Sequence, residues 1–136
     1  NKNMPKELGQ NIRKENSIDI QVITETTNGD AIDTKVAEGF SFDTALALVE
    51  IGDLGDQTST KVKIQESDIE DFSVGAVTAE GGDEITVTAG HSYQMQIKRT
   101  KRYLRVVATI TGGTTPTVEI FAGLVLWNAR KPFPII

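Results

Sequence analysis

Residue types that commonly carry out catalysis are scarce in this chain of 136 residues. His91 is the single histidine and cysteine is absent, so one chain cannot supply two histidine ligands or any thiolate ligand to a metal ion. A Ser-His-Asp triad that includes His91 is formally possible, but the sequence lacks the Gly-x-Ser-x-Gly turn that presents a nucleophilic serine. We expect His91 to be a solvated loop residue after Gly90, and we expect that the protein is not an enzyme.

Carboxylates are concentrated in residues 66–71, where paired acids could support glycoside hydrolysis or bind calcium. The segment lacks the ligand spacing and the glycine of an EF-hand loop, and it lacks an aromatic platform for a sugar. Calcium binding is the better of the two functional interpretations, and a solvated polar loop is better than either. We therefore predict no metal site and no cofactor. The loop carboxylates are Glu66, Asp68, Glu70 and Asp71.

The formal net charge is -5 and the pI is about 4.9, which argues against general nucleic-acid binding because that requires a dominant basic field. Residues 50–84 are strongly acidic, and a basic cluster follows them. Such opposed patches can make complementary contacts between copies of one protein or with a partner, while a solvated face is the simpler interpretation of the basic cluster. The basic cluster consists of Lys98, Arg99, Lys101, Arg102 and Arg105.

The composition is typical of one globular domain, with 38% hydrophobic and 24% charged residues. No apolar run approaches the ~20 residues of a membrane span, and the first residues lack the apolar core of a signal peptide. The lack of cysteine fits a reducing cytosol or a particle that is indifferent to redox state. We expect neither a membrane nor a nucleic acid among the partners.

Strict alternation of apolar and polar side chains predicts the strands. Within residues 101–110, every second residue from Leu104 to Ile110 is apolar and falls on one face. A second apolar run, residues 118–127, begins after a short polar turn, so we predict that the two runs pair as an antiparallel hairpin. The expected core consists of Leu104, Val106, Ala108, Ile110, Ile120, Ala122, Leu124 and Leu126.

Similar segments recur about every ten residues, separated by Gly, Asp or Asn. Ile18, Ile20 and Val22 alternate in a first strand, and residues 44–51, apolar on both faces, favour a central strand over a short helix. We predict an all-β fold, an antiparallel two-sheet sandwich that is jelly-roll-like and has about eight strands. The sandwich should span residues 17–127, with an extended N-terminal arm over residues 1–16 and an extended C-terminal tail over residues 128–136.

Residues 45–51 and 121–127 are each apolar on both faces, which is more than one sandwich core can cover. We therefore predict self-association. The arm and the tail also carry apolar side chains that a neighbouring subunit could bury, and we expect them to act as clamps. The candidate interface residues are Met4, Leu8, Ile12, Lys98, Arg99, Lys101, Arg102, Trp127, Phe133, Ile135 and Ile136.

Three short segments occur in a suggestive order: an apolar strand over Leu46–Asp53, a strand that ends in Glu66-Ser67-Asp68, and the strand Lys101–Val107 that opens Lys-Arg-Tyr-Leu-Arg. Together they resemble the small cement, or decoration, proteins of tailed-bacteriophage heads, over roughly residues 44–127. The resemblance does not cover the arm or the tail. Its loop at Asp68–Phe72 is more acidic than the Asp-Gly-Ser type of loop expected in that family.

The resemblance implies a β-sandwich or jelly-roll subunit on the outer surface of a virion capsid, made in the host cytoplasm. It implies that the protein bridges neighbouring major capsid proteins and forms a homodimer or a homotrimer. The alternative is a carbohydrate- or surface-binding β-sandwich module of a phage fibre or an adhesin. Such a module usually exposes several aromatic residues on one face, whereas aromatic residues make up 6% of this chain.

Overall fold

The computed structural model describes residues 12–35 and 41–130. These residues form ten β-strands and no helix, so none of them belongs to a helix that could cross a membrane. The prediction of an all-β fold is confirmed. The strands are β1 (Ile12–Ile23), β2 (Thr27–Asn28), β3 (Ile32–Asp33), β4 (Ser41–Leu54), β5 (Ser59–Ser67), β6 (Val77–Thr78), β7 (Ile85–Thr86), β8 (Ser92–Lys98), β9 (Tyr103–Thr111) and β10 (Val118–Arg130).

The strands form two antiparallel sheets. The first sheet has the order β1-β10-β4-β8, so the segment predicted as a central strand lies in β4, between two neighbours. In the second sheet, β9 pairs with β5 on one side and with the short strands β2 and β3 on the other, while β6 and β7 pair with β5. Each sheet therefore offers four strand positions, which agrees with the predicted jelly roll of about eight strands.

Side chains from the inward faces of both sheets pack as one hydrophobic cluster. The predicted core residues of β9 and β10 all belong to it; they are buried, except for Ile110, which is partly buried. β4 and β5 contribute every second residue in the same way, for example Val49 and Val62, which are fully buried. The period of two in the sequence thus reports the core face correctly.

The predicted hairpin between β9 and β10 is wrong. β9 pairs with β5 in the second sheet, whereas β10 pairs with β1 and β4 in the first. The two apolar runs therefore contribute to the core from opposite sheets and do not lie side by side. Alternation shows that one face of a strand is buried, but it does not show which strand is the neighbour.

The connection between β9 and β10 is an arch between the sheets. Gly112 and Gly113 take positive φ angles of 78° and 87°, which turn the chain sharply. The carboxylate of Asp56 then accepts hydrogen bonds from the backbone N–H groups of Thr114 (3.0 Å) and Thr115 (2.9 Å). These bonds fasten the arch to the loop after β4, at the point where the chain passes from the second sheet to the first.

The sandwich extends beyond both of its predicted ends. β1 begins at Ile12, and residues 12–16 pair with residues 123–127 of β10, so this part of the predicted arm is strand. β10 continues to Arg130, which makes residues 128–130 of the predicted tail part of a central strand. Residues 1–11 and 131–136, together with residues 36–40, lie outside the described residues.

Candidate interaction surface

The outward side of the first sheet, referred to below as the outer face, is apolar along its two central strands. Side chains of β4 and β10 alternate between the core and this face. Polar residues of β8, such as Gln94 and Gln96, lie beside the apolar strip. The strip is therefore bordered by polar residues, as at many interfaces. Its members, all partly buried, are Leu46, Leu48, Phe121, Val125 and Trp127.

One end of the outer face joins two of the residues predicted for an interface. Ile12 of β1 and Trp127 of β10 are register partners, and Thr44 of β4 flanks Trp127 on its other side. Ile12 remains 52% exposed. Directly opposite positions bring two side chains close on one face of an antiparallel pair, and this end of the sheet still leaves apolar area in water.

At the opposite end of the outer face lies a shallow groove of about 440 Å³. Ile20, Val22 and Phe121 supply most of its apolar lining, and Ile20 and Val22 are 84% and 54% exposed. The carboxylate residues Glu50 and Glu119 line the same groove. The groove thus combines exposed apolar side chains with negative charge.

The exposure of Ile20 and Val22 corrects the expectation that these residues alternate with Ile18 on one face. The pairing of β1 with β10 shifts its register between Asn16 and Ile18, and again between Ile18 and Gln21. Ile18 stays in the core at 2% exposure, whereas Ile20 and Val22 turn outward. An extra residue at a bulge reverses the facing of the residues that follow, and the sequence carries no clear signal of such a bulge.

Gly123 shapes the surface next to the groove. A Cβ atom at this position would lie 3.0 Å from Cζ of Phe121 and 3.3 Å from Oδ1 of Asn16. The absence of a side chain therefore allows the Phe121 ring to lie against β10. Phe121 belongs to the apolar strip and to the groove at the same time, so it joins the two parts of the outer face.

Most charges of the predicted basic cluster have partners within the chain. Arg99 is 15% exposed at its side chain, donates hydrogen bonds to the backbone carbonyls of Phe42 and Lys101, and lies 3.7 Å from the Asp43 carboxylate. The ammonium group of Lys101 lies 3.8 Å from the carboxylate of Asp68. Of these ion pairs, the one between Lys101 and Asp68 joins the basic cluster to the acidic segment within one subunit. Lys98 is exposed at the end of β8.

Arg102 makes a two-point ion pair with Asp33. Its guanidinium donates hydrogen bonds of 2.9 Å and 2.8 Å to the two carboxylate oxygens, and it lies 4.9 Å from the centre of the Tyr103 ring. The hydrogen bond from Arg102 lowers the pKa of Asp33 below its usual value, although burial acts in the opposite direction. The pair ties the start of β9 to β3, at the edge of the second sheet.

Glu66 has a structural role that the sequence pattern did not predict. It is 4% exposed, and its carboxylate accepts hydrogen bonds from the Thr100 N–H (2.8 Å), the Thr100 hydroxyl (2.7 Å) and the Lys101 N–H (3.1 Å). Three donors on one buried carboxylate hold the turn between β8 and β9 against β5. Glu66 is thus not the solvated loop residue that was predicted.

The rest of the acidic loop is fastened by an aromatic side chain. Phe72 is buried, and the Arg105 guanidinium lies 4.2 Å from the centre of its ring. Arg105 also donates two hydrogen bonds, of 3.0 Å and 2.8 Å, to Oε1 of Gln65. Phe72 has a φ angle of 58°, which is unusual for a residue with a side chain, so packing holds it in a costly conformation.

The residues considered for catalysis are not assembled into a site. His91 is exposed beyond a turn, as predicted, and its Nδ1 lies 2.9 Å from the Ala89 carbonyl oxygen. Within residues 12–35 and 41–130, no group of three or more histidine or acidic side chains could hold a metal ion. Of the predicted interface residues, Met4, Leu8, Phe133, Ile135 and Ile136 lie outside the described residues.

The fold is similar to that of chains in two structures from infectious bursal disease virus. A chain in a structure of infectious bursal disease virus, Gx strain, has a TM-score of 0.51 and 11% identity, over 90% of this chain and 33% of that chain. A mutant VP2 protein of the same virus, in derived T=1 particles, has a TM-score of 0.50 and 9% identity, over 85% of this chain and 31% of that chain. This chain therefore spans about a third of the length of those two chains.

A shorter protein is also similar. The SPBc2 prophage-derived protein YomS has a TM-score of 0.44 and 12% identity, over 85% of this chain and 92% of that chain. No protein family and no curated protein matches the sequence. The likeness to the two virus chains shows a shared fold.

Proposed function

We propose that this protein is a structural virion protein that decorates the outside of a phage capsid and cements neighbouring major capsid proteins. In this proposal it is not an enzyme, and it binds major capsid proteins and further copies of itself. The observation that carries the proposal is the apolar outer face, whose side chains contribute nothing to the core between the sheets. The sequence resemblance to cement proteins and the fold shared with a viral VP2 protein in T=1 particles support it.

The outer face has the physical properties that a cementing contact requires. Burying the side chain of a Leu or a Phe contributes about 1.5–3 kcal/mol relative to leaving it exposed, so the five partly buried residues of the strip are a substantial reserve of binding free energy. They stand on β4 and β10, which are central strands held on both sides. A contact on these central strands transmits force into the whole sheet, whereas a contact on a loop would bend the loop.

Co-expression with the major capsid protein of the same genome tests the proposal. Assembled shells are separated by sedimentation, and the amount of this protein bound per shell is measured, together with the temperature at which the shells break. We expect binding at a fixed ratio to the capsid protein and a higher breaking temperature for decorated shells. A protein that remains in the supernatant at micromolar concentration contradicts the proposal.

A pair of matched variants separates the outer face from the rest of the surface. Leu48→Lys introduces a charge into the strip, and Ile69→Lys introduces the same charge at a 45% exposed residue of the loop after β5. We expect Leu48→Lys to reduce shell binding at least tenfold while Ile69→Lys binds normally. Equal binding by both variants, with circular dichroism showing both folded, would mean that the outer face is not the contact.

A further inference from the structure

The groove at one end of the outer face favours a particular kind of ligand. Its lining pairs the exposed apolar side chains of Ile20 and Val22 with the carboxylate residues Glu50 and Glu119. A complementary segment would present apolar side chains together with positive charge, because each carboxylate that loses water needs a cation nearby. The groove is open and shallow, which suits an extended peptide better than a helix.

The chain itself contains a segment of this chemistry immediately after β10. The cations Arg130 and Lys131 are followed by the apolar residues Phe133, Ile135 and Ile136. Pro132 and Pro134 separate these residues, and each proline fixes its own φ near -65°. A segment whose backbone is already restricted loses less conformational entropy when it binds.

The geometry of β10 prevents this segment from reaching the groove of its own subunit. Phe121, in the groove, and Arg130, at the end of β10, are nine residues apart in a continuous strand, a distance of about 30 Å. The six residues from Lys131 to Ile136 span at most about 22 Å when fully extended, so Phe133 can reach no farther than about 11 Å from Arg130. The groove can therefore receive these residues only from another molecule.

We propose that the groove formed by Ile20, Val22 and Phe121 binds residues 131–136 of a second copy of this chain. The apolar side chains of that segment cover Ile20 and Val22, while Lys131 lies beside Glu50. This inference rests on the proposed function and deepens it, because exchanged tails would link neighbouring subunits on a capsid surface. The contact between two copies does not itself require a capsid.

A disulfide crosslink between two variants tests the contact, since the natural chain contains no cysteine. One variant carries Gln21→Cys, a polar and exposed position that lines the groove, so the apolar lining remains complete. A second variant, with a tag of different mass, carries Ile136→Cys, which preserves Phe133 and Ile135. The two are mixed with oxidised glutathione, and the mixed dimer is followed over time on a non-reducing gel.

We expect the mixed dimer to form at least tenfold faster than in a control mixture of Val74→Cys with Ile136→Cys. Val74 is 70% exposed and lies in the loop after β5, away from the groove. Equal rates in the two mixtures would overturn the inference. So would an intramolecular crosslink in a single chain that carries both Gln21→Cys and Ile136→Cys, measured at nanomolar concentration.

The N-terminal segment is the competing occupant. Residues 1–11 could span about 36 Å, which is enough to run back along β1 to the groove of the same subunit. A variant with both Lys2→Cys and Gln21→Cys tests this possibility, because Lys2 is ten residues from Ile12 and can span the roughly 30 Å along β1 to Gln21. A crosslink in that variant that forms faster than the mixed dimer would assign the groove to the arm and overturn the inference.

A charge exchange tests the assigned pair. Glu50→Lys in the groove variant should slow formation of the mixed dimer roughly two- to fivefold, the range expected for an exposed ion pair. Lys131→Glu in the other variant should restore the rate, and a failure to restore it would overturn the pairing of Lys131 with Glu50. Shell binding is measured in a separate experiment. If the protein binds shells but does not form the crosslink, only this inference is refuted. Crosslinking without shell binding refutes only the proposed function.

Discussion

At the scale of single residues, polar groups that stand far apart in the sequence satisfy one another by hydrogen bonds in the fold. Glu66 is the clearest case, because its buried carboxylate accepts three hydrogen bonds from Thr100 and Lys101. Glu66→Ala would leave these donors without their acceptor and should lower the free energy of unfolding by about 3 kcal/mol. Glu66→Gln retains an acceptor oxygen and should lose less. Urea denaturation measures both, and a loss below about 0.5 kcal/mol in Glu66→Ala would contradict this role.

The ion pair between Asp33 and Arg102 makes a prediction about acid stability. The pKa of Asp33 is lower in the folded protein than its ordinary value, mainly because of the hydrogen bond from Arg102. A lowered pKa adds stability that is complete above the unfolded-state pKa of about 3.9 and is lost as the pH falls through the folded-state value.

Asp33→Asn should therefore lose stability at neutral pH and show a shallower decline below about pH 4, where the wild-type protein loses this contribution. Thermal unfolding between pH 2 and pH 7 measures the effect. Asp83→Asn, at an exposed aspartate, is the control. If both variants change in parallel with the wild-type protein across this range, the ion pair contributes nothing to acid stability.

At the scale of secondary structure elements, a glycine allows the chain between β6 and β7 to lie against the edge strand β8. Gly81 has a φ angle of 88°, and a Cβ atom there would lie 1.9 Å from the Gln96 carbonyl oxygen. Gly81→Ala should therefore cost more than about 2 kcal/mol, since it combines an unfavourable φ with a backbone clash. Gly75→Ala is matched to it, because Gly75 has a φ angle of 71° with nothing within 4 Å of the added atom. Equal melting temperatures for the two variants would refute the clash.

The sequence predicted the long strands but not their neighbours. Alternation located the buried faces of β5, β9 and β10, because the core selects apolar residues at every second position. It missed the arch between β9 and β10, which depends on hydrogen bonds from the distant residue Asp56. It also missed the bulges around Ile18, and these create the groove. Pairing partners and bulges depend on contacts far apart in sequence, which periodicity does not encode.

At the scale of the whole molecule, the jelly roll uses different faces of its sheets for the core and for the proposed contact surface. The inward faces of the sheets form the core, while the outer face of the first sheet keeps apolar residues that the core does not use. The sequence revealed this surplus, since residues 45–51 and 121–127 are apolar on both faces. It could not show that both segments would lie in the same sheet, side by side, and so form one continuous surface.

The extent of the folded unit makes the last prediction. Residues 12–16 pair with residues 123–127, and Arg13 lies 5.2 Å from the centre of the Phe42 ring and donates a hydrogen bond to the Asp33 carbonyl. Removing residues 1–11 should leave the melting temperature within a few degrees of the wild-type value. Removing residues 1–16 also deletes part of β1 and exposes the edge of β10, so it should cost at least about 2 kcal/mol. Equal melting temperatures for the two truncated proteins would show that the first five residues of β1 add nothing to the sandwich, and that the arm extends to residue 16.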